Sequence, residues 1–481
     1  MVRDTGQVER QEERPREGLS TTVRLREVID ADMRLEASAF NIEARRAVGQ
    51  LEASGLPLVP LYGPDGLCRE ASNAFRFKRI YVHPEFGVPF LSSSDIISMR
   101  PEIDHYLSRK QTKGLEKLLI KKWDVLISRS GTVGNVGLAS ETIAGMALSE
   151  HAIRVHAKDP DTAGYVTAFL RSHFGGLQLA KATYGSVVQH IEPEHLKRVW
   201  IPDLPSVKGN EIGRAVVRAY EMRDDANRLL SEADRLLHER LGLPIRNSLN
   251  VRCDGPIGTV IRASRLAMRF EASFHHPGAI AAEQAIESLG VDIAALEDNR
   301  VTKEIRPITK FRKRLYVRKG GIPLLTSKQL FQIDPVDSKA LAKGAHLHDL
   351  PEIALSESMI AVTRSGTIGR VQIIPRYMTG WTASEDATRI IAAATTNAGY
   401  LYAWLASEYG QCLIKRNSYG SVVVHVDKDM LGSIPVPLPD PAIMNEIGNL
   451  VLKANSLRNE AWELERWAIE RVENAIMAMG R

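Results

Sequence analysis

Residues 125–138 read VLISRSGTVGNVGL, and residues 360–373 read IAVTRSGTIGRVQI. Each stretch runs from a short apolar segment through a turn containing two glycines into a second short apolar segment, the pattern of a β-hairpin. Arg129-Ser130-Gly131-Thr132 and Arg364-Ser365-Gly366-Thr367 stand 235 residues apart, and the offset holds on both sides of them. Upstream, Arg34-Leu35-Glu36-Ala37-Ser38 recurs as Arg269-Phe270-Glu271-Ala272-Ser273. Downstream, Tyr184-Gly185-Ser186-Val187-Val188 recurs as Tyr419-Gly420-Ser421-Val422-Val423, with His190 and His425 two places further on. Chance matches would not keep one register across 481 residues, so the chain is an internal duplication.

Within each copy, strand-like runs punctuated by Gly and Pro give way to a long helical pattern. The boundaries are IPDLP at 201–205 and IPVPLPDP at 434–441. Beyond the first, Ile212, Ala215, Ala219, Met222, Ala226, Leu229, Ala233 and Leu236 step by three and four, the spacing of a coiled-coil seam. Ile447, Leu450, Ala454, Leu457, Ala461, Leu464 and Ala468 repeat it. Alanine at every seventh position predicts close helix packing, and Leu241-Gly242-Leu243-Pro244 predicts where the first helix stops. Two like units in tandem pair their helices antiparallel about an approximate two-fold axis, which sets the globular parts at opposite ends. The alternative is that each helix folds back on its own domain.

The expected fold is therefore mixed α/β (α+β): two duplicated domains separated by a long antiparallel two-helix coiled-coil spacer. The expected divisions are an arm at 1–18, a first domain at 19–205, helix at 206–245, a linker at 246–258, a second domain at 259–440 and helix at 441–481. The first eighteen residues mix both charge signs without an apolar core, unlike a signal peptide. No apolar run approaches the length of a membrane span. The three cysteines are far apart and form no Cys-x-x-Cys pair. These features predict a cytoplasmic protein.

Catalytic readings find little support. The glycine loops lack the GxxxxGK[ST] spacing, and the thirteen histidines form no HExxH. Glu150-His151 becomes Glu385-Asp386 in the second copy, so a Glu–His pair is not a shared requirement. DNA contact fits better. With 63 basic and 58 acidic residues the net charge is only +5, but basic side chains cluster at matching places. Arg76, Lys78 and Arg79 precede one apolar run; Lys310, Arg312, Lys313 and Arg314 precede its counterpart. Such residues neutralise backbone phosphates. In the turns, Arg129, Ser130 and Thr132, and Arg364, Ser365 and Thr367, supply donors for phosphates or base edges. Tyr184, Ser186 and His190 match Tyr419, Ser421 and His425. Shared residues cannot by themselves encode different half-sites, so base choice is expected at differing neighbours: Asn135 against Arg370, and Gln189 against Val424.

Together, the tandem RSGT-x-G hairpins, the YGS-V-V-x-H segments, the proline-rich exits and the long helices resemble the specificity (S) subunits of type I restriction–modification systems, over nearly the whole chain. The resemblance implies two target-recognition domains that read a bipartite, asymmetric DNA target. It implies no catalysis and no metal or cofactor in this chain; S-adenosylmethionine, ATP and Mg belong to partners. Those partners are methyltransferase subunits, two in number, and a restriction subunit. A 30-residue helix is about 45 Å long, or roughly 13 base pairs of spacer. A second reading is a DNA-binding scaffold of phage defence that recruits an effector other than a methylase.

Overall fold

The structure, a computed structural model, describes residues 22–30, 33, 35, 37–130, 133–183, 189–244, 258, 260–266, 269–306, 314–394, 396–420 and 424–479. Both hairpins form. Val125–Ser128 pairs antiparallel with Val136–Leu138, and Ile360–Thr363 with Val371–Ile373. The turns need left-handed backbone, which Gly134 (φ 86°) and Gly369 (φ 80°) supply at equivalent places. The first strand of each hairpin is buried at every residue. Both of its faces are covered, so its sequence is continuously apolar rather than alternating.

Each hairpin completes a four-stranded antiparallel sheet. The order in the first copy is Cys68–Asn73, Ala152–Ala157, Val125–Ser128, Val136–Leu138; in the second it is Thr302–Arg306, Ala387–Ala392, Ile360–Thr363, Val371–Ile373. A second sheet in each copy contains one parallel pairing, Gly87–Leu91 with Ala147–Leu148 and Ile322–Leu325 with Thr382–Ala383. Two helices then cover each four-stranded sheet, Pro160–Arg171 and His173–Ala182 in one copy, Ala398–Ala406 and Glu408–Arg416 in the other. Ser172 and Ser407 cap the second of each pair by accepting a backbone N–H. Tyr165 and Tyr400 donate to the carbonyls of Pro202 and Pro437 at the proline-rich exits. The duplication thus extends to single hydrogen bonds.

The long helices run Ser206–Leu241 and Pro441–Met479, and the first ends on Gly242 in the left-handed conformation. They are antiparallel: Arg223 pairs with Glu465 at 2.6 Å and, further along the first helix, Arg240 pairs with Glu446 at 2.9 Å. Ala219, Ala226, Ala233, Ala454, Ala461 and Ala468 are buried, as the seam requires. Of the seam leucines Leu236 is buried, but Leu229, Leu450, Leu457 and Leu464 are only half-buried, whereas Val216, Leu230, Leu237, Val451 and Val472 are buried. The buried face is wider than a heptad stripe because each helix has three neighbours. Its first half lies on its own domain, where Gly213 meets Gly164 and Gly448 meets Gly399 backbone to backbone. Its second half enters the other copy's core, Leu237 and Leu241 with Tyr400 and Trp404, Val472 and Ile476 with Val166 and Phe169. Pairing with the other copy and folding back on the helix's own domain therefore both occur.

The two globular parts that the long helices separate also touch each other near the axis. Met99 N–H donates to the Phe331 carbonyl at 2.9 Å, Ile333 N–H to the Ile97 carbonyl at 2.8 Å, and Arg370 pairs with Glu102 at 2.7 Å. Sequence periodicity cannot report such contacts, because they depend on where each domain sits on its helix. Among the described residues, no helix is long and apolar enough to cross a membrane.

Candidate nucleic-acid interface

The arginine of each RSG turn is a brace. Arg129 donates through Nε to Glu192 at 3.1 Å, and its Nη2 forms a second bond to the same carboxylate. Arg364 donates through Nη2 to Asp427 at 2.8 Å. Tyr419 donates to the other Asp427 oxygen at 2.6 Å. Hydrogen bonds from Tyr419 and Arg364 hold the Asp427 carboxyl below the usual carboxylate range. The backbone repeats the connection. Arg129 N–H donates to the His151 carbonyl and its own carbonyl accepts from Ile191; Arg364 does the same with Asp386 and Val426. Each turn is thereby tied to the segment that follows the YGS-V-V repeat. Glu192 and Asp427 went unnoticed in the sequence, although an acid stands at the same offset in IEPEH and VDKDM.

The serines that follow have different partners. Ser130 shares a hydrogen bond of 2.6 Å with His151 Nδ1, whereas Ser365 donates to Asp386. The scaffold is common to both copies; the chemistry beside the turn is not. An imidazole both donates and accepts, while a carboxylate only accepts.

The remaining candidates divide by environment. Arg76, Lys78 and Gln189 are exposed. Arg79 and Arg314 each pair with an acid, Glu150 at 2.7 Å and Glu385, and Arg79 also lies 5.3 Å from the Phe90 ring centroid. Asn135 and Arg370 immediately precede the return strands. Asn135 lines a cleft of about 180 Å³ that residues of both copies share, including Ser94 and Lys328. Arg370 stacks on Phe331 at 3.9 Å and reaches Glu102 of the first copy. Thr367 accepts a bond from Thr363 through its carbonyl at 2.5 Å. His190 and His425 bridge to Ser130 and Ser365 through backbone pairing. Arg76, Arg129 and His190 converge on one cleft of about 870 Å³. Thr132, Tyr184, Ser186, Lys310, Arg312, Lys313 and Ser421 lie outside the described residues. No group of three metal-ligating side chains occurs among the described residues.

Replacing Arg129 with methionine is expected to lower stability by about 1–2 kcal/mol, the net worth of a charge-assisted pair. It should also release the first turn, which hydrogen exchange at Ser130 and Gly134 would report. A turn that stays protected would show that the backbone bonds suffice.

No family model matches the chain, and no curated protein matches it. Solved structures do. The chain is similar to the S subunit of a type I restriction–modification system from M. genitalium at 12% identity, covering 88% of this chain and 98% of that one, with a TM-score of 0.32. It is also similar to the HsdS subunit from Thermoanaerobacter tengcongensis, at 13% identity, 86% and 98% coverage and a TM-score of 0.28. A third similar chain comes from a structure of complex assembly and conformational transition in the type I R-M system, at 14% identity, 86% and 99% coverage and a TM-score of 0.25.

Proposed function

We propose that this chain is the DNA-specificity subunit of a type I restriction–modification complex. It recognises a bipartite, asymmetric target and directs partner subunits to it, without carrying out catalysis itself. The observation that carries this reading is the pair of equivalent, equally braced turns on one frame, with unlike side chains around them: His151 against Asp386, Asn135 against Arg370. Two scaffolds of one shape with different donors and acceptors suit a molecule that reads two different short sequences at a set separation. The braces hold each turn against DNA, while Arg76, Lys78 and their counterparts meet phosphates. Two adenine methyltransferase subunits and a restriction subunit would supply S-adenosylmethionine, ATP and Mg chemistry.

Modification-sensitive long-read sequencing of host DNA, with and without this gene, tests the reading. The expected result is that a bipartite methylated-adenine motif disappears on deletion. An unchanged methylome in cells that express the gene would overturn it.

A further inference from the structure

The larger cleft lies in the first copy, between the edge strand Cys68–Asn73, its neighbour Ala152–Ala157 and residues 116–121. At about 870 Å³ it is within the range of small-molecule sites. Arg154, which lines it, is 7% exposed. Its Nη1 donates to the Leu119 carbonyl at 3.1 Å, but its Nε meets no acceptor and it forms no ion pair among the described residues. The nearby Asp124 carboxylate is engaged by His156 at 2.6 Å. A buried guanidinium without a carboxylate partner is costly unless an anion completes it.

The rest of the lining defines the anion. Arg129 and Glu150 each answer a partner outside the cleft, Glu192 and Arg79. Arg76, Lys117 and Lys121 add to Arg154, against Glu70 and Glu116, so the cleft favours negative charge. A bare phosphate would leave the two acids and Phe75 without a role. Phe75 is 43% exposed and offers a ring for stacking. Glu70, Glu116 and Asn73 accept from sugar hydroxyls or exocyclic amino groups. The second copy keeps the buried arginine as Arg389 and the strand acid as Glu304, but it has Glu352 for Lys117 and Ser356 for Lys121, so it lacks the two lysines.

We propose that this cleft binds one nucleotide, its phosphate on Arg154, Lys117 and Lys121 and its base against Phe75. The same chemistry is presented by a free mononucleotide and by one unstacked nucleotide of a bound strand. The site is a property of the first copy alone.

Calorimetric titration of the full chain with dAMP, adenosine and inorganic phosphate tests it. The double variant Lys117→Glu/Lys121→Ser introduces only residues that the other copy already carries, and Arg154→Gln probes the floor. The expected result is dAMP binding at least tenfold tighter than either adenosine or phosphate, weakened at least tenfold in both variants. Absence of dAMP binding, equal affinity for phosphate alone, or variants that bind like the parent would overturn the proposal. Duplex DNA added to the dAMP complex separates the sources: displacement assigns the cleft to the DNA path, and joint binding assigns it to a free nucleotide. Either result supports the site. A chain that binds dAMP but no duplex sinks the DNA-recognition reading and leaves this one standing.

Discussion

Replacing Glu465 with alanine is expected to lower the unfolding free energy by about 3–5 kcal/mol, the cost of breaking a buried ion pair from one side. The Glu465 side chain is 2% exposed and joins Arg223 at 2.6 Å on one side and Arg171 on the other. Arg171 in turn pairs with Asp334 at 3.0 Å, and Asp334 also accepts from Trp462. One carboxylate thus links the first domain to both long helices, and through Arg171 it reaches the second domain. Its loss leaves two buried guanidinium groups short of charge. Equilibrium urea unfolding measures the effect, and a loss below about 1 kcal/mol would mean that water replaces the carboxylate.

The network has no counterpart across the pseudo-two-fold axis, where Leu230, Ala406 and Met99 stand in place of Glu465, Arg171 and Asp334. Changing Glu465→Leu together with Arg171→Ala is therefore expected to restore part of the loss, since it removes one of the two stranded guanidinium groups and leaves only Arg223 short of charge. The pH dependence has a definite sign. Burial raises the Glu465 carboxyl's pKa, but Arg171 and Arg223 outweigh it and hold the value below the usual range. Asp334 is held low in the same way, by Arg171 and Arg466 against burial. A carboxylate whose folded value is depressed contributes stability that is present above its unfolded value and is lost as the pH falls through the folded one. The stability gap between the parent chain and Glu465→Gln should close progressively below the ordinary carboxylate range.

Gly213→Ala is the second large expected effect, a loss of about 3 kcal/mol, at the upper end for overpacking. A Cβ there would stand 1.9 Å from the Asp161 carbonyl oxygen, so the long helix must move off its own domain. Gly448→Ala, the equivalent change, should cost less. Its nearest obstacle, at 2.2 Å, is the Asn397 side-chain oxygen, which can rotate away at the expense of the cap it provides to Gly399. Gly209→Ala is the control: its nearest neighbour would be 3.7 Å away, and helix propensity should make the change neutral or stabilising by about 0.5–1 kcal/mol. Thermal unfolding of the three variants would rank them, and equal shifts would refute the close-contact argument.

The turns show why some site residues were legible in sequence and their partners were not. Arg129 and Arg364 stood out because they recur in a short, glycine-flanked context. Glu192 and Asp427 lie 63 residues further on, in a short segment with no pattern of its own, so only the folded chain reveals that each pair is one brace. Arg370 is a position where the sequence alone points to base choice, because it differs from Asn135. Its stacking on Phe331 and its bond to Glu102 depend on the two copies meeting, which a one-dimensional pattern does not encode.

By itself the sequence determined that the chain is one unit written twice, where each hairpin turns and where each copy passes into a long helix. Those features rest on local chemistry: glycine's access to positive φ, proline's exclusion from helix interiors and the periodicity of apolar residues. Only the tertiary structure decided which helix face is buried, because Leu229 and Leu230 are equally apolar and the choice between them depends on three neighbours at once. It also decided that charged residues such as Arg223 and Glu465 lie inside rather than on a solvated face. Charge predicts exposure until a partner of opposite sign arrives from a distant part of the chain, and that arrival is a matter of packing.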